Sequence, residues 1–454
     1  MTATAPDAAP RRHLGVGQAT LLALGMIMTT DTLKTAPTVA QSVGRWHFFG
    51  LWTLGGLISM VGALCYVEMA AAFPDPGGDY AFLRRAWGPR VGALFAWSRF
   101  SIMHTGWIAL MAYMFADYAG ALWPLGHAGR VAFALATVAV MTGLNLAHVK
   151  LGFLTQAALV TAVAAGFASV VAAGLAVGPA PVAHAAATAR AAVPPLGQVS
   201  VALIYIFLAY GGWSDAATLS AEVRSSRHGM LVAIIGSIAI LMAVYLALNG
   251  AMLSSLGAEG LARSTAPAAD LMRRAFGAPG AALIVGVVGV SAIASINSTL
   301  IVGARTTYAA ARDIPALAFL GRWSAQRGTP ARAVLAEGGF AMALTAAAGF
   351  AQSGFNAMVD YMTPVYWLFI LLSMGAAIRL RLTYPEAERP VRTPLFPLFP
   401  AAFMLVAAWM LYASLAELGL GALFGAGVLV VGATLELAVR RGPKFKGDWA
   451  PKAR

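Results

Sequence analysis

Apolar residues run along this chain in stretches of about 20, the length that an α-helix needs to cross a bilayer. Short polar or charged segments separate the stretches. The pattern predicts twelve membrane spans, at about residues 16–43, 48–73, 91–118, 130–147, 152–177, 198–222, 229–254, 279–304, 332–351, 356–378, 395–416 and 419–439. An all-α, polytopic membrane protein follows from this pattern.

Composition agrees with a membrane protein. Of 454 residues, 59% are apolar and 11% charged, whereas a soluble domain carries about 25% charged residues. The single cysteine, Cys65, excludes an intramolecular disulfide and a thiolate metal cage. The sequence has no phosphate-binding loop, metal-ligand cluster or nucleophile motif. We therefore expect no enzyme activity, no cofactor and no metal.

Basic residues are distributed unevenly between the loops. With the N-terminus inside, 23 of the 31 Lys and Arg residues fall on the cytoplasmic side, six fall outside and two lie within spans. This asymmetry places both termini in the cytoplasm. It predicts tails at 1–15 and 441–454 around one transmembrane domain at 16–440. The basic excess is explained by topology and lipid headgroups, without nucleic acid.

Span 6 is interrupted in its middle by Gly211 and Gly212. Each glycine costs about 1 kcal/mol of helix propensity relative to alanine. Backbone groups released in hydrocarbon must find another partner. Two interpretations stay open: a close packing contact between helices, or a discontinuous helix that exposes backbone dipoles to a substrate.

Span 1 carries polar residues at mid-depth, namely Thr29, Thr30, Asp31, Thr32 and Lys34. Charges at this depth are costly and commonly mark ion or substrate paths. A buried Asp31–Lys34 salt bridge with a purely structural role is the alternative. Spans 1 and 6 lie five apart and run in opposite directions. This spacing is typical of a five-plus-five inverted repeat whose two first helices are both broken.

Four segments resemble the amino acid-polyamine-organocation permease superfamily. They read GALCYVEMAAAFPDPGGDYAFLRRAWGPRVGALFAW, FLAYGGWSDAATLSAEVRSSR, SINSTLIVGARTTYAAARD and ERPVRTPLFPLFP. The span 6 segment is most similar to the L-type amino acid transporter branch and its bacterial relatives. The resemblance implies an inverted repeat at about 16–177 and 198–378, followed by two further helices at about 395–439.

The resemblance also implies where a substrate binds, between broken helices 1 and 6. The substrate carboxylate would meet the backbone N–H groups that begin the outer half of helix 1, and the ammonium would meet carbonyls that end the inner part of helix 6. Leu208 falls at the position of an aromatic gate, and Trp213 is a candidate lining residue. The implied site residues are Thr30, Asp31, Thr32, Lys34, Phe207, Leu208, Tyr210, Gly211, Gly212 and Trp213.

The chain departs from the family pattern in span 1. Relatives read Gly-Ser-Gly-Ile-Phe where this chain has Thr30 to Lys34. An ionised Asp31 would repel a substrate carboxylate unless it is protonated, paired with Lys34, or facing a substrate without a carboxylate. Val163 stands where some relatives carry a lysine that replaces sodium. Asp31 and Lys34 are therefore the candidate proton-coupling pair.

These observations predict a secondary transporter that moves an amino acid by alternating access, with the proton as a candidate coupling ion. An organic-amine or polyamine permease, in which Asp31 binds the amine, is the alternative. A nutrient sensor with the same fold is a further option, disfavoured because the tails are short. The Ala- and Arg-rich, Lys-poor composition suggests a bacterial cytoplasmic membrane. The oligomeric state stays open.

Overall fold

A computed structural model describes residues 16–73, 78–147, 153–180, 193–216, 229–313, 318–324 and 330–439. These residues are overwhelmingly helical. The α-helices are Val16–Ile27, Thr32–Ala72, Asp79–Trp87, Pro89–Ser98, Thr105–Ala119, Gly126–Leu146, Phe153–Val177, Leu196–Ala209, Trp213–Ala216, Gly229–Arg263, Pro267–Asp313, Ala331–Ala348, Gly354–Thr383, Leu398–Ala416 and Leu420–Val439, and a π-helix covers Arg99–His104.

The helices confirm the all-α, polytopic prediction. Seven helices among the described residues are long and apolar enough to cross a membrane, and the shorter Leu196–Ala209 is also apolar. Helix Thr32–Ala72 consists of two helical segments that meet at Gly44, where the backbone turns: the second half of span 1 and nearly all of span 2. Gly44 adopts φ +62°, which a residue with a side chain rarely tolerates.

Spans 7 and 8 are also bounded by bends. Helix Gly229–Arg263 contains a non-helical residue at Gly257, and helix Pro267–Asp313 contains one at Gly277. Between these bends lie two short helical pieces. This part of the chain is therefore a helical connection between the two spans.

Span 3 changes helix type halfway along its length. Pro89–Ser98 and Thr105–Ala119 are α-helical, and the six residues between them form a π-helix. The wider turn releases carbonyl groups, and side chains satisfy two of them. Thr105 Oγ1 donates to the carbonyl of Phe100, and Tyr361 Oη donates to the carbonyl of Ser101 over 2.7 Å. Such π-helical turns frequently occur at functional sites.

Glu68, near the end of span 2, holds the segment before span 11 in place. Its Oε2 accepts from Arg381 Nη1 (3.1 Å) and from the backbone N–H of Thr393 (2.7 Å). Its Oε1 lies 3.4 Å from Arg389 Nε. A carboxylate with this many donors anchors span 2 to span 10 and to the following loop, which is a structural role.

Candidate substrate-binding site

The first helix of span 1 ends at Ile27, and the next begins at Thr32. The interruption lies in the protein interior, since Thr30, Asp31 and Thr32 are fully buried. The carbonyl of Asp31 accepts the first bonds of the new helix, from the N–H groups of Lys34 and Thr35. The sequence-predicted break in span 1 is therefore present.

Span 6 is interrupted at the two glycines. Its first helix ends at Ala209 and the second begins at Trp213. Gly212 adopts φ +87°, a conformation in which a Cβ atom would be strained. A Cβ on Gly211 would lie 3.0 Å from the carbonyl oxygen of Leu208. The break therefore requires glycine at 212 for its backbone angles, whereas the restriction at 211 is steric.

Tyr245 of span 7 brings the two interruptions together. Its hydroxyl donates to the carbonyl of Ile27, the last residue of the first helix in span 1, over 3.3 Å. Its ring centroid lies 5.3 Å from that of Tyr210, which follows the last residue of the first helix in span 6. Trp52 contacts both tyrosine rings, at 5.9 and 6.1 Å. The two breaks therefore lie close together, as predicted, and span 7 packs against both of them.

Asp31 is the most unusual group of this site. One carboxylate oxygen accepts from Thr29 Oγ1. The other is buried and, across the described part of the chain, has no hydrogen-bond partner. The neighbouring Thr30 donates to Ser291 Oγ of span 8 over 3.1 Å. An unsatisfied carboxylate oxygen inside a membrane protein is costly, so this group can receive a cationic or proton-donating ligand.

The predicted pairing of Lys34 with Asp31 is wrong. Lys34 Nζ lies 2.7 Å from Asp117 Oδ2 at the end of span 3. It also donates to the carbonyl of Thr265 over 2.6 Å. Lys34 is only 8% exposed. The position in the helix explains the difference. Lys34 lies in the first turn of the second helix and faces the end of span 3, whereas Asp31 lies at the break.

The aromatic candidates of span 6 pack against neighbouring helices. The Phe207 ring lies 5.1 Å from Trp367 of span 10. Trp213 lies between Tyr66 of span 2, at 5.1 Å, and Phe403 of span 11, at 5.9 Å. Leu208 is half-buried. Trp213 therefore contributes to the packing of three spans, and a substrate contact by any of these side chains stays a prediction.

Sequence reasoning missed Tyr245, Ser291 and Trp107. Trp107 Nε1 donates to Ser295 Oγ of span 8 over 2.8 Å, one helical turn from Ser291. Each of these residues is one of several polar groups in its span. Such a residue gives a weak signal, because its side chain commonly bonds within its own helix or packs between helices. Only the packing of spans 3, 7 and 8 around the breaks distinguishes them.

Substituting Gly212 by valine is expected to lower uptake by roughly tenfold or more. Forcing a β-branched residue into a left-handed conformation costs about 1–2 kcal/mol, which corresponds to about a tenfold population change. Gly427→Val is the matched control, because its Cβ would have no neighbour within 4 Å. Uptake rates in proteoliposomes measure the effect. Equal uptake by the two variants would contradict a role for the span 6 break.

Comparison with known proteins places the chain in a family. The amino acid permease family profile matches residues 14–433. The mouse b(0,+)-type amino acid transporter 1 is 26% identical over 368 residues, covering 80% of this chain and 74% of the relative. The mouse large neutral amino acids transporter small subunit 2 is 24% identical over 421 residues, covering 89% and 76%. The mouse Asc-type amino acid transporter 1 is 25% identical over 419 residues, covering 88% and 76%. With the broken helices and the helical fold, these matches show that the chain belongs to the amino acid permease family.

Proposed function

We propose that this permease moves an amino acid across a bacterial cytoplasmic membrane by alternating access, with the substrate held between the interruptions of spans 1 and 6. The observation that carries the proposal is the buried meeting point of the two breaks around Tyr245. Helix ends there present backbone groups to one small volume. The transported compounds named for its relatives support an amino acid as the substrate class.

In this proposal the substrate ammonium group faces Asp31. The carboxylate is buried and has one oxygen unpartnered among the residues that the structure describes. The lysine nearest in sequence is already paired with Asp117. An ammonium ion supplies the missing positive charge and hydrogen-bond donor, which is the favourable arrangement for a buried carboxylate.

The same observation favours a second candidate, an organic amine without a carboxylate. Such a substrate would place no anion next to Asp31, so it would avoid like-charge repulsion. Its affinity would come from the ammonium–carboxylate contact and from the aromatic rings of Tyr210 and Tyr245, because cations are attracted to aromatic faces.

Competition uptake distinguishes the two candidates. Uptake of a radiolabelled amino acid mixture into proteoliposomes is measured with unlabelled amino acids or their decarboxylated amines as competitors. Inhibition by amino acids, with weaker inhibition by the matching amines, supports the amino acid permease. Uptake of the matching radiolabelled amines, without uptake of the labelled amino acids, would replace it with the amine permease.

The orientation of the chain is a further proposal, with both termini in the cytoplasm. It predicts that the segment before span 6 lies outside, where Val193 is 85% exposed. In a Cys65→Ala background, Val193→Cys should react with an impermeant thiol reagent added to intact cells. Unmodified Cys65→Ala protein is the control. Labelling of Val193→Cys only after the cells are opened would reverse the orientation.

A further inference from the structure

A second set of buried ionisable groups lies away from the helix breaks, between spans 3, 8 and 9. Glu337 of span 9 is completely buried, and its two carboxylate oxygens have no hydrogen-bond partner within the described ranges. His104, the last residue of the π-helix in span 3, places Nδ1 3.4 Å from Glu337 Oε1. Neither group takes part in the site described above.

The protein backbone is shaped to hold this carboxylate. A Cβ atom built on Gly303 of span 8 would overlap the Glu337 carboxylate, so only glycine allows span 8 to approach there. The buried hydroxyl of Thr307 lies one turn further along span 8. The π-helix of span 3 places His104 next to the Glu337 carboxylate, so that span 3 is the third helix in contact with it. Three helices thus enclose one carboxylate, with the Thr307 hydroxyl as its candidate donor.

A row of hydroxyl-bearing and small residues connects this carboxylate to the broken helix. On span 8 the residues spaced by one turn are Ser291, Ser295, Thr299, Gly303 and Thr307. Each step of four residues turns by about 40° around an α-helix, so these residues form a ridge that winds around the helix. At one end Ser291 accepts from Thr30 of the span 1 break, and at the other end Glu337 packs on Gly303. From Ser291 to Gly303 the row covers about 18 Å, from the helical rise of 1.5 Å per residue.

We propose that His104 and Glu337 form the proton-binding site of this transporter, linked to the substrate site along span 8. A carboxyl group next to an imidazole can share or release one proton, and its neutral form removes a buried charge. Arg99, at the start of the same π-helix, is a charged group that acts on both.

This assignment moves proton coupling away from Asp31 and Lys34. Lys34 is held by Asp117 and the Thr265 carbonyl, and Asp31 faces the substrate in the proposed function. Glu337 is free of both roles. The inference rests on the proposed transport function for its uptake measurement, and a second measurement tests proton binding without transport.

The uptake experiment compares wild type with Glu337→Gln in proteoliposomes. An inward proton gradient should stimulate wild-type uptake, and the stimulation ratio should fall to about one in Glu337→Gln while substrate affinity stays within about twofold. Asp360→Asn neutralises another span carboxylate outside this cluster and should keep the stimulation. Unchanged stimulation in Glu337→Gln, or stimulation of wild type by a sodium gradient alone, would overturn the proposal.

The second measurement is an infrared titration of the purified protein. The protonated-carboxyl band should contain one pH-titrating component that is present in wild type and Asp360→Asn and missing in Glu337→Gln, while the components of the other carboxyl groups remain. His104→Gln keeps the carboxyl group and should shift the titration midpoint by about one pH unit or more, since the neighbouring imidazole is lost. If Glu337→Gln removes no titrating component and His104→Gln shifts none, proton binding by the pair is overturned. Failure of wild type to take up any substrate would count against the proposed function, and the titration would still decide the proton site.

Discussion

Asp31→Asn should abolish substrate binding, with an affinity loss of roughly 100-fold or more. Asparagine keeps the size of the side chain but removes the charge that, in the proposed function, faces the substrate ammonium. Breaking a buried charge pair typically costs about 3–5 kcal/mol, and each 1.4 kcal/mol is about a factor of ten. Equilibrium binding of the radiolabelled substrate to purified protein measures the loss.

Asp360→Asn serves as the matched control for Asp31→Asn. Asp360 lies in span 10, far along the chain from the breaks, and its carboxylate packs near Gly419 and Gly421. The control should bind substrate within about twofold of wild type. If Asp31→Asn binds within about tenfold of wild type while remaining folded, Asp31 is not the ammonium partner.

The second large effect is expected at Asp117. Asp117→Asn leaves the ammonium of Lys34 buried without its counter-ion, so the free energy of unfolding should fall by about 3–5 kcal/mol. Lys34→Met should cost less, because Asp117 keeps a second cation: Arg130 Nη1 lies 3.7 Å from its Oδ1. The double variant should recover most of the stability. Denaturant unfolding of the detergent-solubilised proteins measures the three values.

An exposed ion pair provides the control for Asp117. Arg263 and Glu259 lie 2.7 Å apart on the surface, with side chains 80% and 78% exposed. Arg263→Met should change stability by about 0.5 kcal/mol or less. If Asp117→Asn lowers the free energy of unfolding no more than Arg263→Met does, the Lys34–Asp117 ion pair does not stabilise the contact between spans 1 and 3.

The fold could be predicted because the bilayer imposes strong rules on sequence. Apolar length sets the spans, and the glycine pair at 211–212 and the polar group at 29–34 mark the two breaks. The bends at Gly44 and Gly277 follow from backbone angles that only glycine readily adopts. The π-helix at Arg99–His104 was not predicted, because it depends on contacts such as Tyr361 with the Ser101 carbonyl.

The site was predictable only in part. Asp31 and Gly212 could be identified from local sequence. A charge at mid-membrane depth and a glycine within a helix are both energetically unfavourable. The ion-pair partner of Lys34 could not be predicted from local sequence. Lys34 is three residues from Asp31 but bonds to Asp117, which is 83 residues further along the chain. Tertiary packing decides between partners that helical spacing alone makes equally reachable.

Ligand-induced stabilisation tests the central claim, that the substrate binds between the two helix breaks. A compound that binds only the folded protein raises its melting temperature, with about 2.7 kcal/mol gained at 100 times the Kd. The melting temperature is measured against a panel of amino acids and amines for wild type, Gly212→Val and Gly427→Val. We expect amino compounds to raise the melting temperature of wild type and Gly427→Val, and to have little effect on Gly212→Val. An equal rise in all three proteins would place the ligand elsewhere and contradict the account.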